Sequence, residues 1–475
     1  MIDLILDGGT VITMDGDRRV IADGAVAVRD GRIAAVGPRD EVLAAHPDAA
    51  ARIDAWGRAI LPGLIDAHSH AGHGLVKTLG NRRSGVWMDA CGEIYTRHSP
   101  PEFWAAEAAL AALERLRFGV TTAVSLLGGG DSVMRTDDPA HADAHCRAVR
   151  GVGVRTVLAV GPTRPPHPRP YRGADGVERA VSFEQQLETV AEIIRRWHGR
   201  EGIAGGTRVA TLTPVHRIEH GDDPALTAEA ERQARATRDL GRAHGCLFHQ
   251  DGHRKGSAEL ALRWGLMGPD AFMSHCTDLT PGDIDAFADT GTGVVHNPSA
   301  IASVRGDCPA IELMERGVPV VLGSDATAPD RSTDMFRHMF MAMRLHQRRF
   351  RDETVLPPGK VLEMCTADTA GVLGLSHEIG SLEPGKLADI VTVDLSAPHM
   401  APRNMPVSRV VCFAGGGDVR DVVVGGRVLL RDGAFTEADR EAIVAEADRA
   451  AAAMLRSAGL EAEVIERPGW GLLRG

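Results

Sequence analysis

The sequence has 475 residues, of which 44% are hydrophobic and 25% are charged, and its formal net charge is −11. These values are typical of a soluble globular protein, and the length favours one large domain with a smaller one over a single core. The negative charge argues against nucleic acid or an anionic membrane surface as the main partner, because both attract basic proteins.

The sequence also indicates where the protein works. The N-terminal stretch "MIDLILDGGTVITMDGDRR" lacks the basic and apolar regions of a secretory signal, and no apolar run is long enough to cross a bilayer. The seven cysteines are scattered singly, without a Cys-x-x-Cys pair, which is typical of a reducing compartment. We therefore expect a cytoplasmic protein whose partner is a small molecule.

The two ends of the chain share one pattern. Residues 1–60 consist of short Val/Ile/Leu runs separated by Asp-Gly and Gly, which is the pattern of β-hairpins, and residues 381–435 return to it. We expect these two ends to form one small β-sandwich domain. Residues 436–475 are predicted to form a C-terminal helix and tail.

The middle of the chain, residues 61–380, alternates strand-like apolar runs with helix-length segments rich in Ala, Glu and Arg. Repeated strand–helix units indicate an α/β domain, either a parallel barrel or a doubly wound sheet. The Pro- and Gly-rich stretch 161–176 interrupts this pattern, and we predict a long irregular loop there.

The strongest candidate for chemistry is the stretch "LPGLIDAHSH", in which a strand-like run ends in His68 and His70. Residues i and i+2 of a strand point to the same side, so both imidazoles project from the strand end toward one point. Neutral imidazole is a good ligand for Zn²⁺ or Fe²⁺. The spacing therefore predicts a metal site at the carboxyl end of this strand.

Three later strand-like runs each end in a further candidate ligand: "CLFHQ" contains His249, "AFMSHC" contains His275 and "VPVVLGSDA" contains Asp325. The carboxyl ends of parallel strands in a barrel meet at one face, where catalytic groups lie. A series of this kind favours one shared metal site over three separate structural residues.

The order His-x-His, His, His, Asp, beginning after "PGLID", resembles the amidohydrolase superfamily. The segments "VVHNPSAIASV", "GSDATAPDRSTDMFRHM" and "GSLEPGKLADIVTVDL" are similar to recurring segments of its cytosine-deaminase-like and triazine-hydrolase-like branch. The resemblance covers nearly the whole chain. It implies a (β/α)₈ TIM barrel with a β-sandwich built from both termini, and a homodimer or larger homo-oligomer. It also implies one divalent metal per chain, usually Zn²⁺ and sometimes Fe²⁺, and hydrolysis at a C–N or, more rarely, a C–Cl bond of an N-heterocycle.

The same resemblance implies a role for each strand-end residue. His68, His70, His249 and Asp325 would bind the metal. Asp325 would also accept a proton from the water that the metal activates. His275 would lie on the substrate side and polarise the group under attack or stabilise its developing negative charge.

One position departs from the deaminase pattern. That branch usually carries Glu three residues after the histidine of strand five, to move a proton to the leaving amine, but here Gly252 follows His249 at that distance. His253 or Asp251 could transfer the proton instead, because glycine frees the loop to turn. We favour His253, since Asp251 would more readily bind or orient the metal. Alternatively, the reaction needs no such acid, or the site is catalytically weak.

Six further residues are weaker candidates for substrate binding: His73, Trp87, His216, Glu219, Asn297 and Ser299. His73 and Trp87 lie where this branch lines its substrate pocket. Asn297 follows a strand and would bond a substrate or support His275. Glu219 could supply the missing carboxylate from another loop.

These observations favour a metal-dependent hydrolase that removes an amino group from an N-heterocyclic or amidine-like carbon with an activated water. The alternative within enzymes is hydrolysis of a cyclic amide, urea or guanidine carbon, or dehalogenation, and the missing Glu makes these reactions more attractive. A metal-free barrel that only binds a partner is the remaining alternative. The presence of all four expected ligands argues against it.

Overall fold

The computed structural model describes residues 1–80, 86–129, 133–200, 202, 206–217, 221, 223–300 and 306–466. The strands in these residues are β1 (Ile2–Ile12), β2 (Val20–Arg29), β3 (Arg32–Pro38), β4 (Ala49–Asp54), β5 (Arg58–Pro62), β6 (Leu64–His70), β7 (Val120–Leu126), β8 (Arg155–Val160), β9 (Arg169–Arg172), β10 (Glu178–Val181), β11 (Thr207–Leu212), β12 (Leu247–Gln250), β13 (Ala271–Ser274), β14 (Gly293–His296), β15 (Val320–Leu322), β16 (Ile390–Asp394), β17 (Val419–Val424), β18 (Arg427–Arg431) and β19 (Ala434–Phe435). The α-helices are α1 (Arg39–Ala45), α2 (Val86–Arg97), α3 (Pro101–Arg117), α4 (Pro139–Val152), α5 (Phe183–Trp197), α6 (Pro224–Ala243), α7 (Ser257–Arg263), α8 (Pro281–Thr290), α9 (Ala310–Glu315), α10 (Met335–Phe350), α11 (Pro358–Glu363), α12 (Ala367–Val372), α13 (Pro406–Cys412) and α14 (Arg440–Ala458).

Eight of these strands form a parallel barrel in the order β6-β7-β8-β11-β12-β13-β14-β15. A parallel bridge between Ser69 and Asp325 joins the end of the barrel sheet to its beginning. The residues of β6, β7 and β8 are buried along their whole length, as expected for strands covered on both faces, which read as continuous apolar runs. The predicted (β/α)₈ barrel is confirmed, and a doubly wound open sheet is excluded.

Both ends of the chain contribute to a second sheet, with strand order β19-β18-β17-β16-β5-β1-β2-β3 and β4 paired with β1. The side chains of β1 alternate between two apolar clusters. Leu4 and Leu6 belong to one cluster, and Ile5 belongs to the other, where it packs with Ala25 and Val42. This period of two is the expected pattern for a strand buried on both faces. The predicted composite β domain, built from both termini, is confirmed.

The stretch 161–176 is not irregular throughout, and the prediction of a loop is wrong on this point. Strand β9 lies within it and pairs antiparallel with β10. Tyr171 is buried, and its hydroxyl donates a hydrogen bond to Met134 O at 2.8 Å, which ties the hairpin to the barrel. The Pro-rich composition argued against a strand, but proline is tolerated in an edge strand such as β9.

The C-terminal segment forms helix α14, which ends where Gly459 adopts a left-handed conformation with φ 67°. Its buried residues Ala447 and Met454 join the apolar cluster of the barrel. Within the described ranges, no helix is both long and apolar enough to span a membrane. The seven cysteines are free thiols, and six of them are buried.

Helix α4 contains a buried histidine whose burial makes stability depend on pH. Burial, followed by the nearby charge of Arg115, lowers the pKa of His145 from 6.5 to about 3. Between these pH values the unfolded chain binds a proton that the folded protein does not, so this contribution to stability is complete above pH 6.5 and is lost as the pH falls. From pH 7 to pH 5, His145 alone is expected to cost about 2 kcal/mol of unfolding free energy.

Thermal unfolding of a His145→Met variant across this pH range checks the effect. We expect the variant to lose less stability than the wild type on acidification, because no buried imidazole remains at this position. The exposed His377 supplies a matched control, since His377→Met should keep the wild-type dependence. Equal slopes for His145→Met and the wild type would contradict the prediction.

Candidate metal centre

Five candidate residues lie at the carboxyl ends of barrel strands. His68 and His70 end β6, His249 lies in β12, His275 follows β13 and Asp325 follows β15. All five side chains are buried. In a parallel barrel these strand ends meet at the face where loops enclose a site. The structure thus brings the candidates predicted from separate strands to one end of the barrel.

Three imidazoles converge on two carboxylates at this end. His68 Nε2 lies 3.4 Å from Asp251 Oδ1 and 3.4 Å from Asp325 Oδ1. His70 Nε2 lies 3.0 Å from Asp325 Oδ1 and 3.6 Å from Asp251 Oδ2. His275 Nε2 lies 3.1 Å from Asp251 Oδ1. We call these five residues the strand-end cluster.

Hydrogen bonds outside the cluster fix which ring nitrogens carry protons. The carbonyl oxygen of Gly128 can only accept, so His70, whose Nδ1 lies 2.9 Å away, carries its proton there. In the neutral ring, the lone pair of His70 Nε2 then faces the carboxylate of Asp325. A lone pair facing a carboxylate is repulsive, and either a proton on Nε2 or a cation between the two groups removes the repulsion.

The same reasoning applies to His68 through a chain of two bonds. His249 Nδ1 lies 2.8 Å from Phe272 O and donates to it, so His249 Nε2 is an acceptor. His68 Nδ1 lies 3.0 Å from His249 Nε2 and must donate to it. The lone pair of His68 Nε2 therefore points at the two carboxylates, and this buried atom has no hydrogen-bond partner.

The electrostatics of the cluster favour a positive charge beside its carboxylates. Burial alone would lower the pKa of His70, but Asp325 and Asp251 raise it to about 9, so the two carboxylates favour a proton on His70 at the place where a cation would bind. Burial alone would raise the pKa of Asp325, but His275, His68 and His70 hold it well below its ordinary range. Ionised carboxylates with imidazole lone pairs between them are the donor set that binds a divalent cation. The residues of the cluster fit a metal ion.

Backbone strain accompanies the cluster. His275 and Asp325 both have left-handed conformations, with φ 67° and φ 63°, which are uncommon for residues other than glycine. Asp325 N–H donates to His68 O at 2.8 Å, and the neighbouring Ser324 donates through N–H and Oγ–H to the buried carboxylate of Asp66 at 2.9 and 2.6 Å. These bonds hold the Asp325 backbone where its side chain meets His68 and His70.

Asp66 and Arg331 are functional candidates that the sequence reasoning missed. Asp66 lies two residues before His68 in the same strand, so the period of two could have placed both on one face. Arg331 Nη1 lies 3.8 Å from Asp325 Oδ2, and Arg331 Nε donates to Ser299 O at 3.1 Å. Its position depends on a loop conformation that the sequence does not signal.

Asp251 and His253, the two candidates to replace the missing Glu, have different surroundings. Gly252, with φ 95°, turns the chain between them. Asp251 faces the cluster, and Ser274 Oγ donates to its Oδ1 at 2.5 Å. Both ring nitrogens of His253 are bonded elsewhere, Nδ1 to Ser257 Oγ at 3.0 Å and Nε2 to Gln250 Oε1 at 3.2 Å. The geometry therefore favours Asp251 over His253 for a role beside the metal.

Burial also keeps His253 uncharged. Its side chain is fully buried, and this desolvation lowers the pKa of His253 to about 3. The ring makes an edge contact with Phe287, with ring centroids 6.3 Å apart. A neutral imidazole that is fixed by two hydrogen bonds and packed against an aromatic ring holds the loop after β12 in place.

Among the candidates for the substrate pocket, some also lie beside the strand-end cluster and others do not. His73 is buried beside the cluster, where its ring contacts those of His70, Trp87 and Tyr95 at centroid distances of 5.2, 5.4 and 5.6 Å. Burial, followed by the nearby charge of His70, holds the pKa of His73 well below its ordinary value. The His73 ring is therefore uncharged and lies beside the cluster, and Trp87 packs against it.

Asn297 lies at the cluster, whereas Ser299 and His216 are directed elsewhere. Asn297 Nδ2 lies 3.4 Å from His275 Nδ1, within hydrogen-bond distance of that ring. Ser299 Oγ lies 3.1 Å from His338 Nδ1. The ring of His216 packs against Trp264, with centroids 5.6 Å apart. Glu219 lies outside the described residues.

Gly323 is required by the close packing behind the cluster. A Cβ atom at this position would lie 2.4 Å from Asn297 Oδ1 and 2.8 Å from His68 Cβ. We expect Gly323→Ala to displace His68 and to lower kcat/KM about 100-fold, because small misplacements at a reacting centre have effects of that size. Steady-state kinetics measure the loss. Gly371→Ala is the control, since a Cβ there would meet no atom within 4 Å, and equal kcat/KM for both variants would contradict the prediction.

Comparison with known protein families gives two matches. Residues 59–429 match the model described as the amidohydrolase family. Residues 24–49 match the model of an imidazolonepropionase-like composite domain from bacteria. The first match spans the whole barrel, with every residue of the strand-end cluster, and the part of the second sheet formed by β5, β16, β17 and the start of β18.

Two curated relatives align with almost the whole chain. A 5-methylthioadenosine/S-adenosylhomocysteine deaminase of Nitratidesulfovibrio vulgaris is 31% identical over 464 residues, which are 94% of this chain and 96% of that protein. A 5′-deoxyadenosine deaminase of Methanosarcina mazei is 30% identical over 458 residues, which are 95% of this chain and 98% of that protein.

Two solved structures share the fold. An adenosine deaminase from Xanthomonas campestris with bound zinc superposes with a TM-score of 0.80 at 24% identity, covering 96% of this chain and 99% of that chain. An atrazine chlorohydrolase from Arthrobacter aurescens complexed with zinc superposes with a TM-score of 0.75 at 22% identity, covering 94% of this chain and 100% of that chain. At this level of identity the likeness concerns the barrel and its composite domain.

Proposed function

The chain belongs to the amidohydrolase family and is a hydrolase of the deaminase type that acts on carbon–nitrogen bonds other than peptide bonds, and from this premise we propose that its substrate is an adenosine modified at the 5′ position. The reaction replaces the exocyclic amino group of the adenine ring by oxygen and releases ammonia. The substrate is a small molecule, and Zn²⁺ is the metal we propose, because both solved structures named above were described with zinc.

The observation that carries this proposal is the convergence of His68 Nε2 and His70 Nε2 on Asp325 Oδ1, at 3.4 and 3.0 Å, in a chain aligned end to end with adenosine-type deaminases. We propose that these three residues hold the metal. A bound divalent metal would act as a Lewis acid that makes the attacking water a stronger acid. The fourth protein ligand is either His249, which the resemblance assigns, or Asp251.

Asp325 accepts the first proton of the reaction. As the water oxygen forms its bond to the ring carbon that bears the amino group, one O–H proton passes to the carboxylate of Asp325. The same proton then moves to the departing nitrogen, the C–N bond breaks, and ammonia leaves. Asp325 thus acts as a general base and then as a general acid.

His275 serves the substrate side of this reaction. Asn297 donates from Nδ2 to His275 Nδ1, so His275 carries its proton on Nε2, the nitrogen 3.1 Å from Asp251 Oδ1. In the structure this N–H is directed at Asp251, and we propose that on substrate binding it turns to a ring or hydroxyl atom on which negative charge develops, where such a donor stabilises the transition state.

A substrate panel tests the proposed function. The zinc-loaded protein is assayed with adenosine, 5′-deoxyadenosine, 5′-methylthioadenosine, S-adenosylhomocysteine and a chlorinated triazine, and ammonia, chloride and the ultraviolet change of the purine are followed. We expect ammonia from the 5′-modified adenosines, with loss of activity on chelation and recovery with Zn²⁺. Chloride from the triazine without ammonia from any adenosine would overturn the proposal and favour the dehalogenating alternative.

The assembly and the location of the protein are further parts of the proposal. A homodimer or larger homo-oligomer is expected from the family resemblance, and a cytoplasmic location from the scattered free cysteines. Light scattering of the purified full chain measures the first of these. A monomeric mass at micromolar concentration would contradict it.

A further inference from the structure

Arg331 lies in the loop between β15 and α10, beside the carboxylate of Asp325. Its Nη1 is 3.8 Å from Asp325 Oδ2. The Nε2 atoms of His68, His70 and His275 are 3.4, 3.0 and 3.9 Å from the other oxygen, Oδ1. Arg331 therefore places a cationic hydrogen-bond donor at the strand-end cluster, on the side of the Asp325 carboxylate that the imidazoles do not face.

Three N–H groups of the Arg331 guanidinium are bound by backbone carbonyls. Nε donates to Ser299 O at 3.1 Å, and Nη1 donates to Ala326 O at 3.3 Å and to Ala328 O at 3.2 Å. A guanidinium has five N–H groups in a fixed plane, so the two of Nη2 remain. They make no hydrogen bond to the residues that the structure describes, and the side chain is 17% exposed. Because Nη2 shares a rigid plane with Nη1, it stays near Asp325 and can donate to a ligand there.

The loop that carries Arg331 is itself fixed on both sides of this residue. Pro329 O accepts from Thr78 N–H at 2.8 Å, which ties the loop to the one that follows β6. Thr333 donates through N–H and Oγ1–H to the carboxylate of Glu114 at 3.3 and 3.0 Å. A donor that is held in place before the substrate binds needs no reorganisation during the reaction, which is the condition for strong stabilisation of a transition state.

The proposed reaction needs a donor beside the carbon under attack. As the water oxygen adds to this carbon, the π electron pair of the adjacent ring C=N bond moves to the ring nitrogen, which becomes negative. The pair returns to the C=N bond when the amine leaves. Gly252 supplies no acid to this nitrogen. An arginine keeps its proton at neutral pH, so it can stabilise the negative charge by a hydrogen bond, while Asp325 carries the proton.

We infer that Arg331 is a catalytic residue that donates from Nη2 to the ring nitrogen next to the carbon under attack and stabilises the negative charge that develops there. The substrate must then carry a ring nitrogen at this position, as adenine does. With the ring nitrogen bound by Arg331, the N–H of His275 serves the hydroxyl that is added. This inference rests on the proposed function only in that water attacks a heteroaromatic carbon at the cluster.

Steady-state kinetics of the zinc-loaded protein, with the panel compound that reacts fastest, give the first test. We expect Arg331→Met to lower kcat by about 100–1,000-fold, as removal of one donor to a developing negative charge does. We expect KM to change by less than about tenfold, because the charge on the ring nitrogen develops only in the transition state. Arg331→Lys keeps the positive charge and should recover part of the lost kcat.

Arg337 on α10 supplies the matched control, since its side chain is 75% exposed. Arg337→Met removes the same charge and should keep kcat within about twofold of the wild type. Circular dichroism of each variant confirms that the barrel is folded. A kcat of Arg331→Met within about tenfold of the wild type, or a loss that appears only in KM, would overturn the inference.

Calorimetric titration gives a second test that does not depend on turnover. The probes are purine riboside and 1-deazapurine riboside, which lack the amino group and differ in having N or C–H beside the carbon under attack. We expect the zinc-loaded wild type to bind purine riboside about 10–100-fold more tightly, as expected for a hydrogen bond from a charged donor. Arg331→Met should lose this preference. A wild type without the preference, or an Arg331→Met variant that keeps it, would overturn the inference.

The inference and the proposed function fail in different ways. Chloride from the triazine without ammonia from any adenosine would refute the proposed function, and a loss of kcat for chloride release in Arg331→Met would leave the inference standing, because ring nitrogens also flank the reacting carbon of a triazine. Ammonia release from an adenosine at the wild-type kcat by Arg331→Met would refute the inference and leave the function standing.

Discussion

Replacing Asp325 by asparagine is expected to lower kcat/KM for deamination by at least about 1,000-fold, because in the proposed mechanism one carboxylate both holds the metal and carries the proton. The amide keeps the size of the side chain but cannot accept the proton from water. It also removes the negative charge that faces His70 Nε2 at 3.0 Å. Steady-state kinetics with a 5′-modified adenosine, at saturating zinc, measure the loss.

The neighbouring Asp330 supplies a matched control for this variant. It lies in the same loop after β15, its side chain is exposed, and it belongs to no part of the strand-end cluster. Asp330→Asn removes the same charge and should keep kcat/KM within about twofold of the wild type, as surface changes usually do. An Asp325→Asn enzyme that retains more than about a tenth of wild-type kcat/KM would contradict the assigned role.

The second large effect concerns stability and lies far from the metal. Arg155 in β8 and Asp389 before β16 form a buried ion pair, with Nη1 2.6 Å from Oδ2 and side-chain exposures of 2% and 3%. Thr122 Oγ1 accepts from Arg155 at 2.8 Å, and Gly425 N–H donates to Asp389 at 2.9 Å. The pair joins the barrel to the composite sheet through a charge network with little access to water.

Arg155→Met is therefore expected to lower the free energy of unfolding by about 3–5 kcal/mol, because it leaves the Asp389 carboxylate buried without its cation. The double variant Arg155→Met/Asp389→Leu should recover part of this loss, since it removes both buried charges. Thermal and denaturant unfolding, followed by circular dichroism, measure both variants.

A surface pair provides the comparison for this prediction. Arg449 and Glu446 on α14 are 66% and 51% exposed, so removing their interaction should change stability by less than about 1 kcal/mol. Arg449→Ala tests this. An unfolding midpoint of Arg155→Met equal to that of Arg449→Ala would show that the buried pair does not join the two domains as described.

The barrel and the convergence of its strand ends were predictable from the sequence because both follow from local periodicity. Parallel strands that are covered on both faces must be apolar along their length, and they must alternate with helices. A period of two within a strand places His68 and His70 on one side. The resemblance to the amidohydrolase superfamily is confirmed by the family match over residues 59–429.

The arrangement of individual donors was not predictable, since it depends on packing between distant segments. The orientation of His249 is set by Phe272, whose ring stacks on the imidazole and whose carbonyl oxygen accepts a hydrogen bond from Nδ1–H. The separation of Asp251 from His253 is set by the positive φ of Gly252 and by Gln250 and its bond to His253. Strand periodicity places Asp251 on the side of His249, but it cannot tell which of the two faces the metal.

The identity of the strand-end cluster as the metal centre is tested most directly by anomalous diffraction from crystals of the full chain loaded with Zn²⁺. The account predicts one strong peak per chain, about 2.0–2.2 Å from His68 Nε2, His70 Nε2 and a carboxylate oxygen of Asp325. A zinc-loaded crystal with no peak at the cluster, or with its peak at other residues, would contradict the account.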